Sequence, residues 1–317
     1  MRAAVVSRYG PPEHLELVDV PAPEPRAGEV LVRVAAVAVT SGDARMRAGR
    51  FPRGFGLLAR LAIGLRGPRR RILGIAIAGT VESVGSGVVD FSPGDPVAGM
   101  TGSRLGGYAE LVAVSAATLV PIPAGVTPPD AAGVLFGGTT ALYFLRDRAR
   151  IKAGDSVLVN GASGAVGASA VQLAKHFGAE VTAVTSERNA ALVRRLGADH
   201  VVDYAQTPVQ ALPSRYDIVF DAVGNLSRTD GRALLNPDGS LILAVASLAD
   251  TVLAREPVIA GPAPERADDV AFLLQLAADG ELDPLTEVVG GLAAVVEAHR
   301  RVDSGRKVGN LVVLPGA

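Results

Sequence analysis

From Asp155 onward the apolar positions switch regularly between two periods. SVLVN (156–160) predicts a strand and AVGASAVQLAKHFG (165–178) a helix. EVTAVT (180–185) predicts a strand and ERNAALVRRLG (187–197) a helix, and HVVDY (200–204), YDIVFDAVG (216–224) and GSLILAVA (239–246) predict three more strands. Strands separated by helices of this length argue for an α/β fold with a doubly wound parallel sheet. Runs such as IVF and LILAV have no polar alternation, as expected of strands covered on both faces. Upstream the pattern is different. VLVRVAAVAV (30–39), GTVESVGSGV (79–88), DPVAGM (95–100) and AELVAV (109–114) are valine-rich, partly alternating runs broken by Gly and Pro. They predict a mostly β domain up to about Pro123, and MRAAVVSRYG at the start reads as its first strand rather than a signal peptide. Two prolines before Asp130 then open an apolar helical stretch. The alternation fades at PVIAGPAPE (257–265). Two helices follow, ADDVAFLLQLAADG (267–280) and GLAAVVEAHRRVDSG (291–305), then a last strand, NLVVLPG (310–316), placed to return to the first domain.

A chain of 317 residues accommodates two domains of ordinary size. Its formal net charge of -1 argues against a nucleic-acid binder held by backbone electrostatics and gives no reason to expect a membrane surface. No cysteine is present, which excludes disulfides and thiolate metal sites and makes a reducing cytoplasm the expected compartment. The apolar run FGLLARLAIGL (55–65) is short and carries Arg60, so it is no membrane span.

Gly161, Gly164 and Gly167 follow the strand SVLVN and lead into a helix. Glycine is required there for a tight turn and for backbone to approach a pyrophosphate, and the helix N-terminus offers free N–H groups to the anion. Strand, turn, helix and second strand are all in place for a dinucleotide site. The end of the second strand decides which dinucleotide is bound. An acidic residue there serves the ribose hydroxyls of NAD, but this chain has Thr185 and Ser186, which can donate to a 2′-phosphate, followed by Arg188, which can pair with it. Glu187 reads either as a solvated first-turn residue or as a ribose ligand favouring NAD. NADPH is therefore favoured over NADH.

The catalytic chemistry is narrowed by what is missing. Zinc hydride chemistry needs Cys, His and carboxylate ligands, whereas His14, His176, His200 and His299 show no ligand spacing and suit solvated or structural roles. No tyrosine has Lys four residues on, and GASGA (161–165) fails the serine-elbow spacing at Ala165. Metal-free hydride transfer remains, and a double bond conjugated to a carbonyl suits it, since the enolate formed needs only a hydrogen-bond donor and a proton.

These stretches, with YGPPEHLEL (9–17), GEVLVRV (28–34), ILGIAIAGTVESVGSGVVDFSPGDPVAG (72–99), GGYAELVAV (106–114), LGADHVVDY (196–204) and GRKVGNLVVL (305–314), resemble the zinc-independent quinone oxidoreductase branch of the medium-chain dehydrogenase/reductase superfamily. The resemblance implies a discontinuous GroES-like catalytic domain (1–124 and 263–317) around a Rossmann domain (125–262), with the cofactor in the cleft between them and a homodimeric assembly. It places Gly164, Ala165, Val166 and Gly167 on the pyrophosphate, and Ser186, Arg188 and Tyr204 near the 2′-phosphate. Gly224 falls on the adenine-side ribose, and Val245 and Thr140 at the nicotinamide end. Where the family often has Asn-Pro-x-Asp/Glu lining the substrate pocket, this chain reads Thr40-Ser41-Gly42-Asp43, making Thr40 and Asp43 the candidate catalytic positions. Ala76 stands where the family usually has an acidic residue. Arg45, Arg47 and RGPRRR (66–71) add charge near the expected cleft mouth, either as solvated loop or as attraction for an anionic substrate or the cofactor. The expected activity is NADPH-dependent reduction of a small-molecule quinone or α,β-unsaturated carbonyl. Rival readings are an enoyl-thioester reductase, which the arginine cluster would suit, and an NADPH-binding sensor without turnover.

Overall fold

A computed structural model describes residues 1–316. The N-terminal part begins with a two-stranded antiparallel ribbon, β1 (Arg2–Val6) and β2 (Leu15–Asp19). The long strand β3 (Glu29–Val39) follows, then two short helices, α1 (Ser41–Ala48) and α2 (Gly56–Ile63). Strands β4 (Ala76–Val84), β5 (Pro96–Met100), β6 (Leu111–Ser115) and β7 (Leu119–Pro121) complete this part. The chain then enters α3 (Pro128–Leu142), β8 (Ser156–Asn160), α4 (Ala165–His176), β9 (Glu180–Thr185), α5 (Ala190–Arg195) and β10 (His200–Asp203). After these come β11 (Tyr216–Asp221), α6 (Arg228–Ala233), β12 (Leu235–Leu243), α7 (Leu248–Val252) and β13 (Val258–Ala260). The last elements are α8 (Ala267–Ala278), β14 (Thr286–Gly291), α9 (Val295–Asp303) and β15 (Asn310–Leu314).

Strands β8 to β13 form a six-stranded parallel sheet in the order β10-β9-β8-β11-β12-β13. The order reverses direction on either side of β8, so the crevice at its carboxyl end is the natural ligand position of such a sheet. Val157, Leu158 and Val159 of β8 are buried, as a strand between two helical layers requires. The other large sheet runs β14-β15-β3-β4-β5-β7, with β6 also paired to β3. The final strand does return: β15 pairs antiparallel with β3 through Leu311–Val39, Val312–Ala38 and Val313–Val37. The sheet begun by β3 is thereby extended by β15 and β14.

Helix α3 joins the two parts. A Cβ on Gly137 would lie 2.5 Å from the carbonyl oxygen of Ala165, and one on Gly138 would lie 2.8 Å from Leu273. Only a side-chain-free surface brings α3 this close to the start of α4 and to α8. Among the described residues no helix is long and apolar enough to cross a membrane.

The segment between β3 and β4 departs from the expected loop. Thr40 caps α1 and Asp43 completes a reciprocal capping box, a Thr-x-x-Asp start that local chemistry alone can stabilise. Arg47 is also not the solvated charge expected. It is fully buried, donating to the Gly10 carbonyl and, at 2.5 Å, to Asp303 of α9. The Asp303 carboxylate matches the charge of this buried guanidinium between α1 and α9, although its Nε is left without a partner.

Candidate functional site

A cleft of about 590 Å³ opens at the carboxyl end of β8 and runs to the start of α1. The glycine turn forms its floor. Gly161 has φ +83, the left-handed region that favours glycine. A Cβ on Gly167 would meet the Gly161 carbonyl oxygen at 2.2 Å, so Gly167 is required by the turn itself. Gly164 is different: a Cβ there finds only that same oxygen, at 3.5 Å, and would otherwise enter the open cleft. Gly164 is the N-cap of α4, and no side chain caps the helix. The first-turn N–H groups of Ala165, Val166 and Gly167, all in the cleft lining, are thus left for an anionic ligand.

One end of the cleft is built around Ser163. Its hydroxyl receives hydrogen bonds from Thr185 Oγ1 and Asn189 Nδ2, both at 3.0 Å. Thr185 is buried and its hydroxyl is already engaged, so it holds the turn against β9 rather than offering a free donor. Ser186 and Arg188 line the cleft, and exposed Glu187 between them does not. Tyr204 is exposed and lines the same end, its N–H fixed on the Thr185 carbonyl at 3.1 Å. The middle wall is organised by Asp221, fully buried at the end of β11. It accepts from Asn160 Nδ2 and from the N–H groups of Val223, Gly224 and Leu226. That loop turns at Gly224, where φ is +86 and a Cβ would strike Val245 at 2.9 Å. Gly224 and Val245 are therefore packed on each other behind the lining.

At the other end lie Thr40, Ser41 and Phe136. The Thr40 hydroxyl donates to Asp43 Oδ2 at 2.7 Å and accepts the Asp43 N–H at 3.1 Å. Asp43 is wholly buried and outside the lining, and its other oxygen accepts the Gly74 N–H at 3.0 Å. Burial pushes the Asp43 carboxyl above its ordinary range, against these hydrogen bonds. Asp43 thus ties α1 to the loop before β4, while Ser41, next to Thr40, lines the cleft and its hydroxyl has no hydrogen-bond partner among the described residues. Thr140 is not in the lining; its hydroxyl donates to the Phe136 carbonyl one turn back at 2.7 Å. Ala76 is buried opposite Met100 in the sheet. Arg45 and the arginines of 66–71 line no part of the cleft.

Residues from the end of the chain complete the site. Gly309 forms a bridge with Gly164, its N–H donating to the Ser163 carbonyl at 3.0 Å, and this carries Arg306, Lys307 and Asn310 to the cleft. Burial, with Arg301 nearby, lowers the Lys307 ammonium to about 8. Ser41, Ser163, Asn189 and Lys307 were not singled out in the sequence. Only the return of the last strand to the glycine turn could have flagged Lys307, and that contact spans the two domains.

Comparison with known proteins agrees with this architecture. Residues 26–124 match the family model of the alcohol dehydrogenase GroES-like domain, and 196–313 that of the zinc-binding dehydrogenase. A quinone oxidoreductase of Pseudomonas aeruginosa is 31% identical over 97% of this chain and 97% of its own. The chloroplastic NADPH-dependent alkenal/one oxidoreductase of Arabidopsis thaliana is 30% identical over 99% of this chain and 80% of its own. The structure of the quinone oxidoreductase from Coxiella burnetii superposes with a TM-score of 0.87 at 28% identity, covering 99% of each chain. The zinc in one family description finds no donors here: the chain has no cysteine, and no group of three or more His, Cys, Asp or Glu among the described residues could hold a metal. With a GroES-like domain, a glycine-turn cleft and relatives matched along its whole length, the chain belongs to the zinc-independent quinone oxidoreductase group of the medium-chain dehydrogenase/reductase superfamily.

Proposed function

We propose that the chain is an NADPH-dependent reductase transferring hydride to a quinone or an α,β-unsaturated carbonyl. One observation carries the reading. A single cleft joins an uncapped helix N-terminus, a strand end with Ser186 and Arg188 in place of a carboxylate, and the Ser41 hydroxyl at its far end. A bound NADPH would supply the hydride. Ala165, Val166 and Gly167 would hold the pyrophosphate through their N–H groups, with Lys307 as counter-charge. Ser186 and Arg188 would take the 2′-phosphate, with Tyr204 beside the adenosine. Gly224 and Val245, behind the lining, would shape the ribose and nicotinamide wall. Thr40 and Asp43 serve as positioning residues, since their polar atoms are spent on each other and on Gly74. Ser41 is left to donate to the carbonyl oxygen as negative charge builds on it.

Titration with NADPH and NADH by nicotinamide fluorescence, followed by 1,4-benzoquinone or a simple enone, tests this. The expected result is tighter NADPH binding and oxidation of the cofactor on addition. Binding without oxidation by either acceptor would overturn the substrate assignment and favour a thioester substrate or a sensing role.

A further inference from the structure

Between Ala44 and Val81 the chain carries nine arginines and no acidic residue, although its net charge is only -1. Two of these, Arg47 and Arg50, pair with Asp303. Arg53, Arg60, Arg66, Arg69, Arg70 and Arg71 are exposed and form no ion pair among the described residues. Arg60 lies over the Tyr9 ring at 5.7 Å, which fixes its stem and leaves the cation at the surface. In the middle of this basic segment sits α2, which is turned inside out. Leu57, Leu58 and Leu61 fall within one arc of the helix and are 72%, 55% and 53% exposed, and Leu65 just beyond is 65% exposed. The helix rests instead on its Ala59–Ile63 side. The patch does not stop there. The Leu248 N–H donates to the Arg53 carbonyl at 2.8 Å, setting α7 beside this segment with Val252 and Leu253 also exposed. None of these leucines or unpaired arginines lines the cofactor cleft.

We propose that α2 and the 66–71 loop form a docking surface for an anionic lipid bilayer. A helix with an outward apolar face flanked by cations lies in the interface plane, with its leucines about 5–10 Å into the headgroup boundary and its arginines at the phosphates. The charge complementarity is with a diffuse negative surface. The arginines are spread along a loop and around a helix rather than converging on one anion. Among the described residues no helix is long and apolar enough to span a bilayer, and the contact proposed is peripheral. It stands on the surface alone and is independent of the redox reading.

The test is co-sedimentation of the full chain with phosphatidylcholine vesicles, pure or containing about three parts in ten phosphatidylglycerol. Binding is expected to the anionic vesicles only, and to weaken as salt rises. Leu57→Ser/Leu61→Ser should reduce it about tenfold or more, and Arg69→Gln/Arg70→Gln/Arg71→Gln likewise. Both variants should keep the wild-type melting temperature, which controls for folding. No sedimentation with either vesicle at low salt overturns the proposal, as does full retention by the leucine variant. Binding to soluble polyglutamate without vesicle binding reassigns the patch to an acidic protein. Leucine-dependent self-association without vesicle binding assigns it to a second copy of the chain.

Discussion

Gly164 and Gly167 sit three residues apart in one turn, yet the structure gives them different work, and substitution separates the two. Gly164 is a helix N-cap with extended backbone and open space where a Cβ would go. Gly164→Asp should therefore leave the fold intact. Aspartate is a good N-cap, and its charge meets the positive end of α4, worth about 0.5 kcal/mol. An unfolding entropy of roughly 0.7 kcal/mol/K for a chain of this length turns that into a rise in melting temperature of about 1 °C. The same carboxylate would stand against the pyrophosphate. Two like charges about 4 Å apart at an effective dielectric of about 20 repel by about 4 kcal/mol, so NADPH affinity should fall about a thousandfold. Gly167→Ala is the reverse case. Its methyl carbon would meet the Gly161 carbonyl oxygen at 2.2 Å, a backbone clash with no flexible side chain to yield. A cost of roughly 2–3 kcal/mol lowers the melting temperature by about 4 °C. Thermal melts of the apo proteins and fluorescence titration with NADPH read the two effects separately. A Gly164→Asp protein that melts normally and binds NADPH as well as wild type would refute the placement of the pyrophosphate.

Arg188→Ala should weaken NADPH about tenfold and leave NADH unchanged, because only NADPH carries the 2′-phosphate; equal loss in paired titrations would move that contact elsewhere. Lys307 titrates near 8 in the free protein, and a phosphate beside it would raise that value, so binding takes up a proton above pH 8. NADPH affinity should be level below about pH 8 and fall above it, and a pH series on Lys307→Met should lose the slope. Burial, with Arg47 nearby, holds the His299 imidazole down at about 3, and both ring nitrogens lack partners. The unfolded chain binds the extra proton, so stability is full above about pH 6.5 and is lost as pH falls toward 3, by about 2 kcal/mol at pH 5. His299→Leu should flatten that part of the melting profile, and an unchanged acid slope would show that other groups set it. Ser41→Ala should lower kcat/KM for an enone about tenfold at unchanged NADPH affinity, and steady-state kinetics showing no change would remove Ser41 from the reaction.

The first five strands of the Rossmann sheet, and the helices between the first three, were legible because each is specified within its own window, whereas the short α6, α7 and β13 were not read. The strand SVLVN, the glycines and the helix after them appear at their expected positions, and the end of β9 can be read from four residues. The return of the last strand was legible as a topology. The segment after Thr40 was not read as helical. Its capping box is a pattern of two residues, and α2 carries its apolar residues on the solvent side, where periodicity gives no indication of what they face. Asp43 shows the limit most plainly. Its identity suggested chemistry, but in the fold Thr40 and Gly74 occupy both its oxygens, the Gly74 contact spanning 31 residues and leaving no local sequence signal.

The Gly164–Gly309 bridge is the point at which the two domains meet by main-chain hydrogen bonding at the floor of the cleft. One strand of that contact is the glycine turn that would hold the pyrophosphate, and the other leads directly into β15, which is paired with β3 up to Val39, immediately before Thr40. The glycine-turn end and the Thr40–Ser41 end of the cleft are therefore linked through a pair of hydrogen-bonded strands. Lys307 lies just before β15 and Ser41 just after β3, so both are tied to the same pair of hydrogen-bonded strands. Under the proposed function, the groups at the phosphate and at the carbonyl would thus be carried by one strand pair, as a reaction that depends on the spacing between a bound hydride donor and its acceptor requires.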